Sequence, residues 1–600
     1  MARPKKRTPE HDRDFENMDL AQTLNRVTDD YTKSKSFQQP WLDKFVEWYG
    51  LYRSYTDPAT FRDGRAHLFI PYVFHIIETQ VPRIVNTLVN TRPFVQTQPI
   101  GYPSPEREAR AKKMNLLLDY QFQVKIRFVM LVTDVIKAAL MYGTAITRQG
   151  WRYEKRPVAV RVPMREMGVE LPVKERLMQD RVVHDDPFVR NVPIWDFFFD
   201  PSATTIEDSR YVIERQWMDY SEIVALEDTL GVEFKSMDEL KRDARGGTPG
   251  GDSTNPHLDS IGRSATDSNS KRGIEVLHYW TNDRYVIVAN QKFTLCSIEN
   301  PYDHGKKPYA KWIDIPIPNE FYGMGEAESV EDLQEELNVT RNQRIDNVSL
   351  IINKMWATRR SAQIDPNQLI ARPGGFVEVD EMDDIKELQF TDVTNSSYNE
   401  EERIKLDMDV VSGVNDTQRG TFAQRRETAT TMNILANAGA ERFKLKVALV
   451  AYGGMHDMVN QVIRLNQQYL SGEQEVLILG KDGTVGADTV TVEDILGEWD
   501  IVAVGSAVEP SVNKDIQQSN MTQLYSLLKD NPIVNQEQML KDIFEVFGFK
   551  NIQGLINETP MQKTVEEVQM PGEPQGQMAQ QMTPQVGFEA GAPINMGGAV

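Results

Sequence analysis

Apolar and polar positions along this chain follow two rhythms, one near 3.6 residues and one of two, and their order predicts the elements. Residues 17–56 keep the helical rhythm through Leu20, Leu24, Val27, Tyr31, Trp41, Phe45, Trp48, Tyr49 and Tyr52. Pro40 interrupts them; lacking an N–H and clashing with the preceding turn, it predicts two helices here. A second helical run covers Leu68 to Asn90, with Pro71 in an early turn and a kink expected at Pro82. A third covers 104–142. Ser104 is its predicted N-cap, Pro105 its first helical residue, and Gly143 its stop.

From Thr144 to about Ile213 the two-residue alternation predicts strands, in ITRQGW, PVAVRVPMRE and VVHDDPFVRNVP, closed by the aromatic WDFFFDP. Strands resume at Ile274 to Trp280 and Arg284 to Leu295. The intervening 244–272 is rich in Gly, Ser, Asp and Pro and reads as a mobile surface loop. A long helix is expected from Glu326 to about Trp356. Arg341 and Arg344 break its apolar stripe, a pattern suited to a helix flanked by neighbours of its own kind. Residues 357–398 read as a small strand-containing unit around Pro373-Gly374-Gly375. An acidic helix follows from Glu400 to about Val411, then a loop, Ser412 to Phe422. A second long helix spans Glu427 to about Leu470, where Gly439, Gly453 and Gly454 suggest bends or close packing. Val476 to Leu479 and Trp499 to Val504 read as strands and 512–550 as helical; from Met561 there is no periodicity, and the tail reads as disordered.

Composition narrows the class. The chain has 600 residues, enough for about four domains, and 40% of them are hydrophobic, which excludes a wholly disordered or fibrous protein. With 67 Lys+Arg against 88 Asp+Glu the net charge is −21, a poor basis for gripping duplex DNA. One cysteine, Cys296, excludes a disulfide framework or a multi-cysteine metal site within one chain and points to a reducing compartment. No apolar stretch is long enough to span a membrane; the nearest, Phe128 to Ile146, contains Asp134 and Lys137. The basic N-terminus leads into no apolar segment and reads as a solvated tail.

Candidate chemistry is sparse. Gly480-Lys481-Asp482-Gly483-Thr484 has its lysine on the wrong side of the second glycine for a phosphate loop and reads as a hairpin turn. Gly323-Met324-Gly325 has Glu328 where a dinucleotide loop needs a third glycine and reads as a turn leading into a helix. His184, beside Asp185 and Asp186, reads as a surface turn. Asp383-Asp384 and Glu400-Glu401-Glu402 are the pairs a Mg²⁺-dependent nuclease would need, and more commonly form a solvated face. The balance predicts no enzyme, no metal and no cofactor.

Five segments, in order, are similar to the portal (head-to-tail connector) proteins of tailed bacteriophages, of the short-tailed type. They are Leu68 to Pro99; LMYGTAITRQGW, Leu140 to Trp151; Asp185 to Arg215; Tyr302 to Asn353; and Ser412 to Phe443. The resemblance covers roughly 65 to 470. It implies an α+β, mostly helical portal fold in a ring of twelve subunits at one capsid vertex of the virion, assembled in the host cytoplasm. DNA would pass non-specifically through its channel during packaging and ejection. The terminase large subunit, adaptor or head-completion proteins, tail proteins, major capsid and scaffolding proteins would be its partners. The alternatives are another head–tail structural protein, such as an adaptor or minor capsid protein, or a metal-dependent nuclease.

By the same resemblance, 1–19 is a flexible N-terminus and 20–325 the first part of a wing. A stem follows in 326–356 and 399–413, with a clip at 357–398 between its helices. A tunnel loop spans 414–426, the wing resumes over 427–510, and 511–560 is a crown before the tail 561–600. Segment 326–356 holds seven acids against three bases, and 378–409 holds twelve against three. Repeated around a channel, these would repel phosphate and let DNA slide. Glu331, Glu335, Asp346, Glu400, Glu401 and Asp407 are the expected channel acids. Asn415, Gln418, Arg419, Arg425 and Arg426 are expected to meet DNA from the tunnel loop. Arg359, Arg360, Arg372, Phe376 and Asp383 are expected on the clip's docking surface.

Overall fold

Asp19 begins the first helix by accepting from the Leu20 N–H at 2.8 Å, while Gln22 reaches back to the Asp19 N–H. The computed structural model describes residues 19–62, 64–89, 94–100, 104–166, 169–246, 273–353, 355–360, 385–389, 394–414, 442–470, 474–479 and 485–502, with scattered positions besides. Two units are distinguished, Met1–Gln523 and Leu524–Val600. The second contributes only isolated helical positions to the described residues, and the architecture below is that of the first. Residues 1–18, 247–272, nearly all of 511–560 and the tail from Met561 lie outside the described residues, and with them the expectations made there.

The order begins with α1 (Leu20–Tyr52), α2 (Tyr72–Val89), β1 (Gln96–Pro99), α3 (Pro105–Tyr120), α4 (Phe128–Tyr142), β2 (Thr144–Glu166) and β3 (Val169–Val192). It continues with β4 (Phe197–Phe199), β5 (Val212–Met218), α5 (Tyr220–Leu230), α6 (Met237–Gly246), β6 (Ile274–Trp280), β7 (Arg284–Ala289), β8 (Phe293–Glu299) and β9 (Tyr309–Ile313). Then come α7 (Glu326–Ser329), α8 (Glu331–Ile352), β10 (Trp356–Thr358), β11 (Ile385–Glu387) and α9 (Thr394–Ser412). After helical residues 442–450 and a π-helical turn, Ala451–Met455, the order closes with α10 (His456–Tyr469), β12 (Gln474–Leu479), β13 (Val485–Val490), α11 (Val492–Ile495) and β14 (Trp499–Val502). The fold is thus mixed helix and sheet.

The sheets are antiparallel. One has five strands in the order β4-β5-β6-β7-β8, a second three in the order β3-β2-β9, and β1-β14, β10-β11 and β12-β13 are pairs. The β1–β14 pair sets Gln96 opposite Val502, joining in one sheet two segments far apart in the chain. The core lies where the apolar faces of α2 and α4 meet β2, β9 and α10, with Ile77, Val81, Val132, Val135, Trp312 and Val459 almost fully buried.

Several expectations are corrected. Pro40 does not divide the first helix: α1 runs through it. The carbonyl it orphans belongs to Ser36, and both residues are exposed, so water replaces the lost bond while Phe45 and Trp48 anchor the opposite side. Pro82 likewise lies on the exposed side of α2, which continues past it. The run 104–142 is two helices, because α3 ends in a π-helical turn (Gln121–Lys125) and Arg127 takes a left-handed φ of 54°. His184 stands within β3, paired across the ladder with Glu154, and not in a turn. The long helix expected from 326 breaks at Val330 and ends at Ile352, so Trp356 is in a strand. The acidic helix begins at Thr394, earlier than Glu400.

Other readings hold. Ser104 accepts from the Arg107 N–H at 3.3 Å and caps α3. Gly143 ends α4 with φ 77°. Gly323 and Gly325 lead into α7, and they must be glycines: a Cβ on Gly323 would stand 2.7 Å from the Ile315 carbonyl oxygen and one on Gly325 2.6 Å from the Gly143 nitrogen, while one on Gly143 would stand 1.8 Å from the Gly323 carbonyl oxygen. This crossing fixes the start of α7 and α8 against the α4–β2 corner. Gly453 bends the last long helix out of helical geometry, and Gly454 lets it close on the Trp312 ring.

Candidate functional site: a polar-laced helix pair

The helices α8 and α9 pack on each other and carry the acids read from the sequence. Their mutual face is ionic. Glu401, 6% exposed, receives Arg344 at 2.5 Å, Arg341 at 3.0 Å and Lys405 at 2.7 Å. Arg344 is itself 4% exposed and lies over the Tyr398 ring, 4.0 Å from its centre. The arginines that interrupt the apolar stripe of α8 therefore find their counter-charge inside the chain. Their presence alone calls for no neighbouring copy, which corrects the sequence argument drawn from them.

A second face of α8 holds the extended segment leading into α2. Gln334 accepts from the N–H groups of Tyr72 and Val73 at 3.2 and 3.1 Å and donates to the Ile70 carbonyl at 2.8 Å. Asn338 accepts from Ile70 N–H at 2.9 Å. Asn342 accepts from Leu68 N–H at 2.7 Å and donates to its carbonyl at 3.0 Å. Asp346 accepts from Ala66 N–H at 2.7 Å and from Arg65 at 3.2 Å. The match is geometric. Four residues of α-helix rise about 6 Å, and two residues of extended chain advance about 6.5 Å. A polar residue at every fourth helical position thus meets every second backbone unit.

The ends are tied as well. Glu331 accepts from Lys44 at 2.9 Å and from the Trp48 indole at 2.8 Å. Asp409 accepts from the Tyr72 hydroxyl at 2.7 Å. At the end of α9, Gly413 turns left-handed with φ 70°, and Arg442 donates to the carbonyls of Val410 and Val411 at 3.3 and 3.1 Å, satisfying groups a helix end leaves open. Behind α7, Lys446 sits between two buried carboxylates, Asp314 at 2.8 Å and Glu326. Burial pushes Asp314 up to about 7; Lys446 opposes the rise and Glu326 reinforces it.

Of the six acids expected in a channel, three are engaged within the chain: Glu331, Asp346 and Glu401. Glu335, Glu400 and Asp407 are exposed, as are Asp332, Glu336 and Glu402. Apolar side chains share the open surface: Val339, Ile345, Val348 and Ile352 on α8, Leu406 and Val410 on α9, the last 72% exposed. Between the helices, β10 pairs with β11 as Trp356↔Glu387, beside the exposed Arg359 and Arg360. Arg359 lies 3.8 Å from Glu381. Arg372, Phe376 and Asp383 lie outside the described residues, as do Asn415, Gln418, Arg419, Arg425 and Arg426.

Sequence reasoning missed Gln334, Asn338 and Asn342. Their i, i+4, i+8 spacing was visible, but an amide row reads equally as solvent-facing until its partner strand is known. Among the described residues no three His, Cys, Asp or Glu side chains gather as a metal site, and no helix is long and apolar enough to cross a membrane.

No curated protein matches the chain. A family model described as phage SU10 portal protein matches residues 23–182 and 163–586, which takes in the helix pair, the strands between it and both flanking regions. The chain belongs to this family of bacteriophage portal proteins.

Proposed function

We propose that copies of this chain assemble into a ring, with twelve the expected number, that serves as the DNA conduit at one capsid vertex. In this reading the helix pair α8 and α9 is the stem and presents its free acids to the channel. The observation that supports it most is the division of labour among those acids. One set is consumed within the chain, Glu401 in joining the two helices and Glu331 and Asp346 in tying α8 to earlier segments. A second, Asp332, Glu335, Glu336, Glu400, Glu402 and Asp407, is exposed, and among the described residues of the two helices the one exposed arginine is Arg403. Repetition around a ring would make the lining strongly negative, so phosphates are repelled and DNA slides. The exposed Val339, Ile345, Leu406 and Val410 are where adjacent stems would pack.

The rest of the assignment follows the chain. Residues 20–325 and 427–510 would form the wing, 357–398 the clip that docks terminase, adaptor and tail proteins, and 511–560 the crown. Residues 414–426 would be a tunnel loop, whose Arg419, Arg425 and Arg426 would touch phosphates transiently. The protein would act structurally, in the virion, in contact with capsid and scaffolding proteins.

The test reverses the free acids. Glu335→Lys, Glu400→Lys and Asp407→Lys together leave the Glu401 network untouched. Rings should form, and DNA packaging should stall or slow strongly. Full-length packaging at the parental rate would overturn the channel assignment.

A further inference from the structure

Strands β2 and β3 are far longer than the sheet that anchors them. Strand β9 pairs only with Thr144 to Arg148, whereas the β2–β3 ladder continues to Glu166↔Val169. From Arg152 outward the two strands form a ribbon with no third strand among the described residues. At about 3.4 Å per residue the arm from Arg152 to Glu166 reaches about 50 Å.

Neither face of the ribbon's described base is covered. Lys155, Arg156, Pro157 and Val158 are consecutive and all exposed, and side chains alternate between faces along a strand. Tyr153, Val158, Val182 and Val183 are 41%, 37%, 43% and 41% exposed. A two-stranded ribbon with both faces in water is marginal at best. Its register sets Arg156 opposite Arg181 and Arg161 opposite Arg176, with Glu154 of the same strand 2.6 Å from Arg156. Like charges directly across a ladder repel. Residues 152–182 hold eight basic and five acidic residues, a net +3, so the remainder of the chain carries −24.

We infer that the ribbon is an arm that lies on the acidic surface of a second copy of this chain, its surplus of basic residues meeting that copy's carboxylates. The inference rests on the ring proposed above. Three prolines, Pro157, Pro163 and Pro172, deny the strand edges the N–H groups that strand addition needs, so the arm docks by its faces. Its five interspersed acids make it a poor phosphate binder, and its exposed valines and tyrosine suit a protein surface.

The test uses the full-length protein with Val158→Cys carrying a benzophenone, Cys296 being buried. Rings assembled from mixed ¹⁴N and ¹⁵N chains are imaged, irradiated and digested. Cross-links joining light to heavy chains, at acid-rich peptides, are expected. Arg161→Glu with Arg176→Glu should lower their yield about tenfold, as should raised salt. Intact rings with cross-links confined to one chain, or with cross-links only to added duplex DNA, overturn the arm assignment and leave the ring standing. Absence of rings at every concentration overturns both.

Discussion

Asn342 holds the backbone of Leu68 in both directions, accepting from its N–H at 2.7 Å and donating to its carbonyl at 3.0 Å. One amide side chain thus replaces a strand partner for a residue 274 positions earlier in the chain. With Gln334, Asn338 and Asp346 it makes helix α8 the template on which the approach to α2 is laid out.

Removing the buried member of that row should loosen the segment most. Gln334→Leu orphans the Val73 N–H in a buried setting, whereas the Tyr72 N–H keeps the Ile70 carbonyl at 2.8 Å. Each net hydrogen bond lost is worth about 1 kcal/mol. Amide exchange at Val73 should accelerate about fivefold and that at Tyr72 less, with a smaller effect from Asn342→Leu, where water reaches Leu68. Unchanged exchange would show that the segment is held by packing alone.

Glu401 should be the costliest acid of the helix pair to lose. Glu401→Leu leaves Arg344 buried without its counter-charge, for a cost of about 3 kcal/mol. Arg341 and Lys405, each about a third exposed, add little. Arg344→Met combined with Glu401→Leu should recover most of the loss. The check is chemical denaturation followed by tryptophan fluorescence, and equal stability of the single and double variants would contradict the pairing.

Much of this was legible in the sequence where a rule is local. Ser104 with Pro105 announced a helix start, Gly143 a stop, and Gly323 with Gly325 a turn, because each acts through its own backbone. Tertiary contacts decided the rest. Pro40 was tolerated because the carbonyl it orphans faces water. Arg341 and Arg344 looked like a break in a stripe because Glu401, some sixty residues on, could not be paired with them from spacing alone. The length of the β2–β3 ribbon was hidden by prolines that interrupt its alternation.

Glycine substitutions separate close approach from mere flexibility. Gly143→Ala forces a Cβ into the Gly323 carbonyl and strains a positive φ, and should cost more than about 2 kcal/mol. Gly50→Ala, within α1 and with nothing in reach of a Cβ, should stabilise by about 0.5–1 kcal/mol. Opposite shifts in melting temperature are expected, and a tolerated Gly143→Ala would contradict the crossing.

The buried Asp314 should give a pH signature. Its folded pKa, about 7, lies above the unfolded value of 3.8, so between these the folded state holds more protons. Stability from this group therefore falls as pH rises from about 4 to 7 and levels off above. His278, lowered by burial and by Arg148 to about 3, works in the opposite sense, its contribution being lost as pH falls from 6.5 towards 3. Asp314→Asn should flatten the first trend only. Parallel profiles for parent and variant would place Asp314 outside the titration.

In the ring proposed for this portal chain, the free acids of α8 and α9 line a central channel. Cryo-electron microscopy of the purified full-length protein tests this most directly. A ring with a central channel is expected, with the two helices alongside it and Glu335, Glu400 and Asp407 facing the lumen. A ring in which those acids face outward, or a particle without a channel, would contradict it.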